Sequence, residues 1–218
     1  MAQSYVKAAD LPQVIPVFPL AGAIVLPRGQ LPLNIFEPRY LNMIDDAMAG
    51  ERIIGMIQPA GGPAQLPALA PIGCAGRITS YAETSDGRYL ITLTGICRFR
   101  VVSELPSHAP YRQVRADFRP FAGDFSAAED SGGFDRLLFL DALAAYLDRR
   151  SLEIDWDTAK AAPEEALINS LSMALPFEPG EKQLLVEAPT VADRCRALIA
   201  MLRIDAAEPD DDDPVSMQ

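Results

Sequence analysis

The sequence predicts an α+β protein with segregated halves: a β-rich domain over residues 14–120, then an α-helical bundle over residues 134–204. Three observations predict it. Residues 14–120 are rich in Pro, Gly, Val, Ile and Thr, whereas residues 133–204 are rich in Ala, Leu, Asp and Arg. The first half breaks into short apolar runs bounded by turn residues, the second into apolar stripes at helical spacing. The short runs follow one another so closely that the sheet must be small and strongly bent, or a barrel. A tail at 1–13, a polar linker at 121–133 and an acidic tail at 205–218 complete the expected organisation. The last stretch, with Glu208 and Asp210 to Asp213 and no base, is expected to be disordered.

Residues 14–20 form an apolar strand. Pro16 and Pro19 lack N–H donors, which predicts an edge position or a bulge. Residues 31–36 give a second strand. Pro38 then opens a helix, since its fixed φ suits the first helical position. Tyr40, Leu41, Ile44, Ala47 and Met48 share one face of it, and Gly50 stops it. Residues 53–58 read as a strand, and 59–71 as a long, mostly apolar loop. Strands over 74–83 and 88–94 meet at a hairpin of Ser85, Asp86 and Gly87. Gly95 marks a bulge or sharp bend. Cys97, Phe99 and Val101 then resume an apolar face, with Arg98 and Arg100 opposite, and 111–118 supplies a further strand.

In the second half, residues 134–150 form a helix with Leu137, Leu138, Leu140, Tyr146 and Leu147 as its apolar residues. Pro163 starts another, with Leu167, Ile168, Leu171 and Leu175 as its stripe and Pro176 as its end. A short helix follows at 179–187. Thr190 and Asp193 resemble a capping box before a last helix that carries Leu198, Ile199 and Leu202.

The net charge of −11 argues against a nucleic-acid binder, because phosphate binding draws on clustered Lys and Arg. Three scattered cysteines, Cys74, Cys97 and Cys195, suggest reduced thiols and a cytoplasmic protein. The uncharged run 53–76 is long enough to cross a bilayer, but Pro59, Pro63, Pro67 and Pro71 break any helix there, so no membrane partner is expected.

Catalytic chemistry finds no footing. His108 is the only histidine, which excludes a histidine-cluster metal site, and no GxSxG, P-loop or GxGxxG motif occurs. The acidic pairs Asp45-Asp46, Glu129-Asp130 and Glu164-Glu165 are neighbours whose side chains diverge. Trp156 reads as a packing anchor. No enzyme and no cofactor are expected. Phe36, Glu37, Arg39 and Tyr40 form a compact group that reads first as a helix start and second as a possible site.

Four segments resemble the N-terminal, substrate-binding domain of Lon proteases: IPVFPL at 15–20, PLNIFEPRY at 32–40, IGCAGRI at 72–78 and TGICRFRV at 94–101. Their order is also that of the family. The resemblance implies a PUA-like β pseudobarrel followed by a helical bundle, in a free-standing form without the ATPase and protease domains. It also implies a non-catalytic module that binds unfolded or extended polypeptides, and a Lon-type protease as a partner.

Within this reading, Leu66 and Leu69 of loop 59–71 are the candidate polypeptide-binding residues. Either they form an exposed apolar patch, or they fold back and complete the barrel core. The alternative function is RNA or nucleotide binding. It would require a basic stripe of Arg77, Arg88, Arg98 and Arg100.

Overall fold

The computed structural model describes residues 5–63, 66–126 and 134–207. Among these residues six strands form one sheet: β1 (Val14–Pro19), β2 (Gln30–Ile35), β3 (Ile53–Ile57), β4 (Ile72–Glu83), β5 (Tyr89–Leu105) and β6 (Arg112–Asp117). The order is β2-β5-β4-β3-β1-β6, and β5 also pairs with β6. Strands β5, β4, β3, β1 and β6 therefore close into a ring, and β2 extends the sheet from the first half of β5. All pairings are antiparallel except β1 with β3. The crossover between those two carries β2 and helix α1 (Pro38–Ala49).

Besides β4, β5 can pair with β2 along its first half and with β6 along its second because it bends at Gly95. There the pairing with β4 shifts, Ala75 opposing Cys97 and Gly76 opposing Gly95, which is the bulge that the glycine predicts. Any side chain at Gly95 would strike the Leu26 carbonyl oxygen, 2.0 Å from where its Cβ would stand.

β1 is not an edge strand. Val14 to Val17 pair with β6 and Val17 to Pro19 pair with β3. Pro16 thus lies beyond the β3 ladder and Pro19 beyond the β6 ladder, so among the described residues each has one side free of a partner strand. That is how an interior strand accommodates two residues without N–H donors.

The barrel core has two parts. Phe18, Ile35, Tyr40, Met43, Ile44 and Ile91 pack under α1. Ile15, Val17, Cys97, Phe99, Val114 and Phe118 fill the ring. Cys74 and Cys97 are buried, and burial raises both thiol pKa values.

The helical half comprises α2 (Arg136–Arg150), α3 (Trp156–Ala161), α4 (Glu164–Ala174), α5 (Pro179–Glu187) and α6 (Val191–Ala207). Asp135 caps α2 by accepting from the Leu138 amide. Thr190 Oγ1 accepts from the Asp193 amide, and Asp193 Oδ2 from the Thr190 amide, so the expected box with Asp forms at α6. Phe139, Tyr146, Ile168, Leu185, Leu198 and Leu202 make the core, with Trp156 packed against it.

Five expectations need correction. The helix-start reading expects Phe36 to be buried like Tyr40, yet it is 64% exposed, because it comes directly after β2, whose alternation turns Ile35 inward and the next residue outward. Leu137, in the first turn of α2, is 77% exposed and Leu138 is also exposed; the buried face of α2 is Phe139, Ala142, Leu143, Tyr146 and Leu147. Residues 119–125, partly assigned to the linker 121–133, form a 3₁₀ segment with Phe121 and Asp124 buried. Arg98 is only 4% exposed, since the outer face of its strand is covered by that segment and by the end of α5. The acidic tail was expected from 205, yet Asp205 belongs to α6 and pairs with Arg150; residues 208–218 and 127–133 lie outside the described residues.

Candidate functional site

The Phe36–Tyr40 group builds the entry to α1. Glu37 stands at the N-cap position with extended backbone and Pro38 occupies the first helical turn. The Glu37 side chain makes no cap hydrogen bond. It pairs instead with Arg39, whose Nη2 lies 2.9 Å from Oε2. Both side chains are about half exposed, so this pair contributes only about 0–1 kcal/mol. Arg39 also stacks over the Tyr40 ring at 4.5 Å. Tyr40 is buried against Phe18, with ring centroids 4.2 Å apart. Tyr40 is therefore core, Phe36 is surface, and Glu37 and Arg39 are a solvated pair between them.

The loop after β3 folds back on itself. Pro59 and Leu69 form an isolated antiparallel bridge. The Ala60 amide donates to the Ala68 carbonyl and the Ala68 amide to the Gly61 carbonyl, at 2.8 and 2.7 Å. The two candidate leucines have different fates. Leu69 is half-buried and packs on the barrel core beside buried Ala70. Leu66 is 61% exposed.

Arg112 at the start of β6 ties this loop to β5. Its Nη1 donates to the Pro67 carbonyl at 2.7 Å, and its Nε and Nη2 donate to Glu104, each at 2.6 Å. The same guanidinium lies close enough to Tyr40 to favour its phenolate, although burial dominates and raises that hydroxyl's pKa. Below it, the Tyr111 hydroxyl donates to Asp46 on α1 at 2.6 Å. Nothing in the sequence marks Arg112 as the residue that ties the loop to the barrel.

A second feature lies between barrel and bundle. Arg28, in the left-handed region at φ 66°, pairs with Glu165 on α4 and donates to the carbonyls of Asp124 and Ser126. Asn169 donates to the Pro27 carbonyl at 3.1 Å. Arg194 on α6 donates through Nε to the Leu185 carbonyl and through Nη1 to Asn169, both at 2.8 Å. Burial, then repulsion from Arg98, pushes the Arg194 pKa down to about 10, so it stays charged at neutral pH. Sequence spacing brings none of these residues together; the docking of two layers does.

Among the described residues no group of three or more His, Cys, Asp or Glu could hold a metal ion. No helix among them is long and apolar enough to cross a membrane.

Comparison with known proteins places this architecture. The model for the substrate-binding domain of ATP-dependent protease La (LON) matches residues 14–203. Lon protease 2 of Myxococcus xanthus is 31% identical over 115 residues, 51% of this chain and 14% of that protein. Lon protease 2 of Sorangium cellulosum is 26% identical over 206 residues, 86% of this chain and 24% of that protein. The chain thus spans a quarter or less of the length of these relatives. The crystal structure of a Lon N-terminal domain protein from Xanthomonas campestris superposes with a TM-score of 0.58 at 21% identity, covering 86% of this chain and 97% of that one. The N-terminal domain of a Mycobacterium avium complex Lon protease gives a TM-score of 0.60 at 18% identity, over 87% and 97%. With six strands in the family's β-rich half and a helical bundle behind them, the chain belongs to the Lon substrate-binding domain family.

Proposed function

We propose that the protein is a non-catalytic module that binds extended or unfolded segments of polypeptide and acts as an adaptor in proteolysis alongside a Lon-type protease. The observation that carries this reading is the exposure of two large apolar side chains, Phe36 and Leu66, on segments whose backbones are held. Phe36 is fixed between β2 and α1. Leu66 projects from a loop tied down by its own bridge and by Arg112. Ordered, exposed apolar groups mark interaction surfaces. β2 pairs only with β5 among the described residues, which leaves its outer edge as a further place for an extended chain. Pro32 in that strand limits self-pairing along it. The RNA-binding reading loses support, because Arg98, one of the four arginines it needs, is buried in an ion pair.

The test is binding of a fluorescent, permanently unfolded polypeptide by anisotropy. Burial of one such side chain is worth about 1.5–3 kcal/mol. The double variant Phe36→Ser/Leu66→Ser is therefore expected to bind at least about tenfold more weakly, with an unchanged melting temperature. Unchanged affinity would refute this surface.

A further inference from the structure

A cleft of about 650 Å³ opens where the barrel meets the bundle. Three arginines, Arg28, Arg98 and Arg194, and two carboxylates, Asp124 and Glu165, line it. The carboxylates are spoken for: Asp124 pairs with Arg98 and Glu165 with Arg28. Arg194 has no carboxylate partner among the described residues. It is 2% exposed, and while its Nε and Nη1 are bonded to protein, its Nη2 makes no hydrogen bond to any described residue. Val191 and Ala192, the first two residues of the 17-residue helix α6, line the same cleft. Their amides find no acceptor among the described residues, as the first turn of a helix dictates. A buried cation with a free N–H and a helix start with free N–H groups thus share one cavity. This combination suits an anion.

We propose that this cleft holds the free C-terminal carboxylate of a bound polypeptide, an inference that rests on the polypeptide-binding reading. The excess of one positive charge matches a single carboxylate. A dianion would also meet the Asp124 and Glu165 walls. The remaining lining is apolar, with Pro27, Pro120, Phe121 and Pro189 placed to take the terminal side chains. The cavity volume is that of an ordinary small-ligand site. The carboxylate accepts from Arg194 Nη2 and from the α6 amides, the mode by which backbone donors capture chain ends.

The experiment compares one labelled decapeptide with an apolar C-terminus in two forms, free acid and C-terminal amide, by anisotropy at low ionic strength. The free acid is expected to bind at least tenfold more tightly. Ala192→Glu places a carboxylate at the cleft mouth, where a helix start favours it, so the fold is retained and the preference for the acid disappears. Val191→Pro removes one amide donor at a position proline fills without strain and is expected to reduce the preference. Equal affinity for acid and amide overturns the inference, as does a preference that survives both substitutions. If neither peptide binds while the unfolded client still binds through Phe36 and Leu66, the carboxylate site is refuted and the module stands. If the client does not bind either, both fail.

Discussion

Arg98 on β5 and Asp124 in the 3₁₀ segment Arg119–Phe125 form a buried two-pronged ion pair, with Nε to Oδ2 at 2.9 Å and Nη2 to Oδ1 at 2.8 Å. Asp124 Oδ2 also accepts from the Arg98 amide at 2.9 Å. The remaining guanidinium donors reach the carbonyls of Val186, Ala188 and Pro189 at the end of α5. Burial lowers the Arg98 pKa, but the bonds to Asp124 outweigh it and the net shift is upward. One side chain thus ties the barrel, the segment leaving it and the bundle together.

Removing one partner would leave the other charge buried and uncompensated. Asp124→Ala is expected to lower stability by about 3–5 kcal/mol. Replacing both partners together, as Arg98→Met/Asp124→Leu, is expected to recover only part of that loss: the desolvation cost disappears with the charges, but the Arg98 amide and the Val186 and Ala188 carbonyls lose their partners. Urea melts of the three proteins decide it. A near-wild-type midpoint for Asp124→Ala would show that the pair does not join the halves.

Phe36 and Tyr40 separate by mechanism. Tyr40, 5% exposed, is expected to cost about 3–5 kcal/mol when cut to Ala, as buried aromatics do. Phe36→Ala is expected to stay within about 0.5 kcal/mol, as exposed positions do. Denaturant midpoints measure both. A large loss for Phe36→Ala would mean that its ring is covered.

The residues that were legible are those whose role is local. Pro38 and Gly50 bound α1 as their backbone preferences dictate, and Gly95 sits at the bulge it predicts. Thr190 and Asp193 cap α6. Arg98 was not legible. Alternation assigns it correctly to the face opposite Cys97 and Phe99, but it cannot say that the outside of a barrel is the inside of a second interface. The cleft lies at that interface, so its residues are scattered from Pro27 to Arg194. The loop was half legible: lack of charge marked Leu66 and Leu69 alike, whereas only the bridge at Leu69 separates them.

Alkaline pH is expected to destabilise the protein. Burial raises the folded-state pKa of Cys74 and Cys97, and that of Cys195 to about 11. The stability they contribute is full below the unfolded thiol value of about 8.5 and is lost as pH rises above it. Lys182 opposes them. Its Nζ donates to the Ser172 and Met173 carbonyls at 2.9 and 2.7 Å, yet burial pushes its pKa down to about 8. Between about pH 8 and 10.4 the unfolded chain binds more protons there, so this group alone makes stability rise with pH. Lys182→Met should therefore steepen the alkaline loss, and Cys97→Ala should make it shallower. Urea midpoints from pH 7 to 10 test both signs; parallel curves for all three proteins would refute the assignment.

The bend in β5 gives the last prediction. The Arg28 amide donates to the Gly95 carbonyl at 2.9 Å, and the Gly95 amide to the Gly29 carbonyl at 2.8 Å. These bonds hold the segment before β2 so tightly against the bulge that the Leu26 carbonyl fills the space of a Cβ. Gly95→Ala must push backbone away from backbone, which no rotamer change can relieve. It is expected to cost at least about 2 kcal/mol, in the upper part of the range for single substitutions. The same displacement would move Arg28 from Glu165 and open the cleft. Gly95→Ala should then weaken the preference for a free-acid peptide over its amide, while leaving binding at Phe36 and Leu66 in the folded fraction. Thermal melts and the peptide pair read the two effects in one preparation. An alanine variant that melts with wild type would mean that the segment from Leu26 to Gly29 yields freely, and that the bulge does not position Arg28.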